Sequence, residues 1–105
     1  MKDTKGDALK TYITLINFTE QGIANITASP DRAASFAKEA ENLGIQVKGM
    51  YWTLGDHDGV LIFDAPDEKS ATAALLTLAR GRSVKTHTLR AFNSSEIASI
   101  LGKLS

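Results

Sequence analysis

Residues Ile45–Ala65 read IQVKGMYWTLGDHDGVLIFDA. Two runs rich in β-branched and aromatic residues, Ile45–Leu54 and Asp58–Ala65, flank the polar segment Gly55-Asp56-His57, which is short enough for a hairpin. The two runs are therefore predicted to be antiparallel neighbours. Working upstream, Ser29 then Pro30 supplies a helix cap followed by proline at the first helical position. Ala33, Phe36, Ala37, Ala40 and Leu43 then recur on one face before Gly44. Before that helix lie a short helical turn within Thr19–Thr27 and a strand over Thr11–Phe18. Downstream, Ala71, Ala74, Leu75 and Leu78 form a 3.6-residue stripe that stops at Gly81. Ser83–Phe92 returns to strand composition. Asn93 with Glu96 resembles a capping box ahead of Ile97, Ile100, Leu101 and Leu104. Arg80-Gly81-Arg82-Ser83 reads as the cap of the second main helix, because a helix C-terminus favours the arginines and disfavours a phosphate.

The order is β-α-β-β-α-β plus a C-terminal helix, an α+β fold of ferredoxin-like type with one antiparallel sheet and both crossover helices on one face. Alternation puts Ile13, Leu15, Val60, Ile62, Leu89 and Ala91 on one side, expected under the helices. Tyr12, Thr14, Ile16, Phe18, Leu61, Phe63, Thr86, Thr88, Arg90 and Phe92 fall on the other. That second face is too apolar for water, so a second copy of the chain is expected to cover it, sheet on sheet.

The chain has 105 residues, 12 of them Lys or Arg and 12 Asp or Glu, giving zero formal net charge. This length suits one domain over residues 11–105 after a disordered lead-in over 1–10, where charged residues alternate with almost nothing apolar. The absence of cysteine excludes disulfides, thiolate metal sites and a Cys nucleophile. Neutral charge argues against an extended nucleic-acid surface, and Asp58–Phe63 lacks the basic residue and spaced aromatics with which RNA-recognition domains stack bases. No run approaches the roughly 20 apolar residues of a membrane span, and no signal-peptide core precedes the first strand, so the expected location is the cytoplasm. No phosphate loop, serine elbow or His-Glu metalloprotease motif is present.

The run Met50-Tyr51-Trp52-Thr53-Leu54-Gly55-Asp56-His57-Asp58-Gly59-Val60, then Ala65-Pro66-Asp67 and Thr88-Leu89-Arg90-Ala91-Phe92, resembles the GYD-domain family. So does the opening, Tyr12-Ile13-Thr14-Leu15 through Thr19-Glu20-Gln21-Gly22-Ile23. The resemblance covers residues 11 to 104. Gly55 and Asp58 stand in the family's signature, while His57 occupies the position of its tyrosine. The resemblance implies a dimeric α/β barrel, in which two ferredoxin-like sheets close over a cavity. It implies no particular activity.

Three groups of residues are candidates for chemistry. His57, between Asp56 and Asp58 at the hairpin tip, has the makeup of an acid, a base or a metal ligand, or else belongs to a polar turn held by Asp58. His87 is expected on the helix side of the last strand, and nothing in the spacing demands a metal, so none is assigned. Tyr12, Thr14, Thr86, Thr88 and Arg90 form the better polar cluster: a cation with hydroxyls among apolar walls suits a small organic acid. An intersubunit ion pair is the alternative for Arg90. Tyr51 and Trp52 are adjacent and should point to opposite faces.

The expected function is that of a homodimeric or higher even-numbered binding or accessory domain, needing no cofactor, whose intersubunit cavity holds a small molecule. The alternative is a cofactor-independent monooxygenase- or isomerase-like enzyme with His57, Asp58 or His87 moving protons. A purely structural assembly module is the third class.

Overall fold

Residues 9–104 are described by a computed structural model. β1 (Lys10–Phe18) leads into a short helix α1 (Glu20–Ala24), and a single 3-10 turn connects it to α2 (Ser29–Ala40). A second 3-10 turn and Gly44 precede the hairpin of β2 (Gln46–Trp52) and β3 (Gly59–Ala65). α3 (Glu68–Arg80), β4 (Val84–Ala91) and α4 (Ser94–Leu101) follow, and a 3-10 turn over Gly102–Leu104 ends the described chain. Of the expected lead-in, residues 1–8 lie outside the described residues, and Lys10 already belongs to β1.

The four strands form one antiparallel sheet in the order β2-β3-β1-β4, the ferredoxin-like order, with the two hairpin strands adjacent as their sequence requires. The caps follow local chemistry. Gly44 takes φ +77° after the turn that closes α2, where a Cβ would strain the left-handed backbone. Asp67 caps α3 through the Ser70 amide, and Asn93 and Glu96 form a reciprocal capping box on α4. One cap differs from expectation: Ser29 lies inside the first turn of α2, behind Ala28, and its hydroxyl accepts a hydrogen bond from Trp52 Nε1 at 2.9 Å. A tertiary partner has taken the oxygen that would otherwise have capped the helix.

The faces of the sheet are reversed relative to the sequence reading. Tyr12, Leu61 and Phe63 are buried with Phe36 and Ala40 of α2 and Ala71 and Ala74 of α3, so theirs is the helix-covered face. Large sheet residues, including the stacked pair Tyr12 and Phe63 at 5.4 Å between centroids, fill the space left by alanine-rich helix faces. Thr14 is fully buried on the same face, within hydrogen-bonding distance of Thr88 Oγ1 at 2.9 Å.

The uncovered face carries two aligned rows. Ile62, Ile13 and Leu89 stand side by side across β3, β1 and β4, and Tyr51, Val60, Leu15 and His87 form the next row across all four strands. Leu89 and Tyr51 are 52% and 58% exposed. α4 and the 3-10 turn after it add a second apolar surface, with Leu101 and Leu104 at 54% and 75%.

Candidate functional site

Between α2 and α3, over the β1 C-terminal end, the helix layer parts and leaves a cavity of about 380 Å³. Ser29, Arg32, Ala33 and Phe36 line it from α2, at spacings that place all four on one helix face. Ile16 of β1, Leu61 of β3 and Met50 of β2 form the floor, and Leu78 of α3 closes the side. Two small residues, Ala33 and Gly59, are among those that line it, and larger side chains there would take up part of the space. Gly22 holds the adjacent corner tight, since a Cβ on it would stand 2.1 Å from the Ser83 carbonyl oxygen.

The wall is mostly apolar. Its polar edge is set by Ser29, itself buried, and by Arg32, whose Nη1 donates to the Asn25 carbonyl at 2.9 Å. Arg32 Nη2 is buried and has no hydrogen-bond partner among the described residues. Trp52 stands at the mouth, half-exposed, with its indole nitrogen bonded to Ser29.

The residues singled out from sequence lie elsewhere. Tyr12, Thr14, Thr86, Thr88 and Arg90 share the helix-covered face, as their pairing on β1 and β4 shows, so they do not face a sheet-on-sheet interface. Arg90 is occupied: Nη1 donates to the Thr11 and Ala91 carbonyls, Nη2 lies 3.8 Å from Glu96, and the guanidinium sits 4.5 Å over the Phe92 ring. Tyr12 Oη is buried without a partner among the described residues. His57 Nδ1 lies 2.9 Å from Asn17 Oδ1, and Asp58 Oδ2 accepts the Phe18 amide at 2.8 Å, so both side chains pin the hairpin loop to the end of β1. His87 sits on the uncovered face opposite Leu15, not on the helix side as expected. Tyr51 and Trp52 do point to opposite faces. Among the described residues no three His, Asp or Glu side chains gather as a metal site would require, and no helix is long and apolar enough to cross a membrane.

Sequence reasoning missed Arg32. A signal was present: it stands one turn before Phe36 and one after Ser29, a cation on the apolar side of the helix.

A small α+β domain with one antiparallel sheet, a helix-covered core and an apolar open face is the class that this geometry defines. The GYD domain matches residues 12–101, and the chain belongs to that family. It is 32% identical over 90 residues, 85% of this chain and 95% of the relative, to the "Glutamine synthetase and cystathionine beta-lyase binding protein" of Thermus thermophilus. No solved structure matches the chain.

Proposed function

We propose that this chain is a homodimeric accessory domain that binds an enzyme of amino-acid metabolism, its two copies closing through the open sheet faces into a dimeric α/β barrel. The observation that carries the reading is the uncovered apolar face built by Ile13, Leu15, Val60, Ile62 and Leu89, aligned by strand register. A contiguous patch of this kind on a soluble domain is removed from water by association, and two-fold symmetry lets one face cover its own copy. The partner class follows from the relative, whose name states that it binds glutamine synthetase and cystathionine β-lyase. The small organic acid expected between subunits is not part of this reading, because Tyr12, Thr14, Thr86, Thr88 and Arg90 lie on the sheet face opposite the proposed contact.

Sedimentation velocity tests it on the purified chain, alone and mixed with purified glutamine synthetase or cystathionine β-lyase from the same host. Alone, the chain should sediment at twice 11.3 kDa; in a mixture it should co-sediment with at least one enzyme. A monomer at every concentration would remove the dimer, and separate boundaries with both enzymes would remove the partner class.

A further inference from the structure

The cavity between α2 and α3 has no role in the accessory reading, and it is built from one chain alone. Its volume, about 380 Å³, falls at the small end of the range typical of sites for small organic molecules, roughly 300–1,000 Å³. Ile16, Phe36, Leu61 and Leu78 give it an apolar body. Arg32, partly exposed on the α2 face that lines the cavity, gives it one direction: a guanidinium on which an anionic oxygen can settle through a charge-assisted hydrogen bond. Asp31 and Glu39 also reach the rim, but both are exposed, so water screens their repulsion of an anion. Ser29 adds a buried hydroxyl on the same helix face as Arg32, its oxygen already accepting from Trp52 and its proton available to a second acceptor.

We propose that this cavity binds a small monocarboxylic acid with a hydrocarbon or aromatic body, its carboxylate on the Arg32 guanidinium and its body against Ile16, Phe36, Leu61 and Leu78. The site lies within each subunit, on the face of the sheet opposite the proposed dimer contact. Because Trp52 stands at its mouth and rests on Ser29, an occupant changes the surroundings of the chain's single tryptophan.

Trp52 fluorescence titrations with octanoate and 3-phenylpropanoate, each compared with its neutral amide, test the assignment on the full chain. The acids should bind at least tenfold more tightly than the amides, the size of a charge-assisted bond of about 1.5–3 kcal/mol. Arg32→Gln should abolish that preference and Arg32→Lys should restore part of it, while Ala33→Leu, which fills the cavity, should remove binding of acid and amide alike. Far-ultraviolet circular dichroism confirms that each variant is folded. Absence of saturable binding by either acid, equal affinity for acid and amide, or an acid preference that survives Arg32→Gln would each overturn the proposal. A monomer in sedimentation, by contrast, would leave it standing.

Discussion

Asp67 accepts the Ser70 amide at the start of α3, and that bond, with a second from the Ser70 hydroxyl, holds its carboxyl below the ordinary value of 3.8. A carboxyl lowered by folding stabilises the native state above its unfolded value, and the contribution is lost as pH falls through the folded one. Asp67→Asn keeps an acceptor for the cap but cannot ionise. The native chain should therefore be more stable than the variant at neutral pH, and the gap should close as pH is lowered through 3.8 and below, as read by urea midpoints across an acid series. The two arginines of interest show how far residue type alone carries. Arg90 has the makeup of a ligand-gripping group, yet backbone carbonyls, Glu96 and Phe92 consume it. Arg32 looks like a surface residue near a helix start, yet it lines the cavity, with one nitrogen that has no hydrogen-bond partner among the described residues. Which donors are already spent is a property of neighbours distant in sequence.

The elements follow their local chemistry closely. Every main helix and strand expected from periodicity is present, with boundaries displaced by a few residues. The α4 capping box was legible because its two bonds join residues only three apart. Ser29 was misread because the group that claims its hydroxyl, Trp52, is 23 residues away. α4 offers the cleanest check on local energetics, since much of its apolar stripe is uncovered and caps weigh more where packing is thin. Asn93→Ala should cost the helix about 1 kcal/mol, within the 0.5–2 kcal/mol usual for such caps. Amide exchange within Ser94–Leu101 should accelerate about fivefold while the sheet amides keep their rates.

At the scale of the molecule, the decisive fact is which side of the sheet the helices took. The open face predicts that Leu15→Lys yields a folded monomer: the new ammonium reaches water in the single chain but would be trapped between paired sheets. Leu61→Lys, one row away on the covered face, should instead abolish folding, because Leu61 is 2% exposed among core side chains. Sedimentation and circular dichroism of the two variants separate these outcomes. Both variants folding as dimers would contradict the face assignment and the dimer contact together.

The amino-acid sequence by itself determined the elements, their order, the antiparallel hairpin, and which side chains share a face, because each of these depends on spacing of two to four residues or on a short turn. It also contained the family resemblance now shown over residues 12–101. Tertiary structure alone decided which face met the helices. Alternation separates the rows of a strand without naming their neighbours, and here both faces are apolar, so hydrophobicity offered no choice between them. Packing made it: the alanine-rich faces of α2 and α3 settle on Tyr12, Leu61 and Phe63, and where the helices diverge they leave the cavity that Arg32 borders.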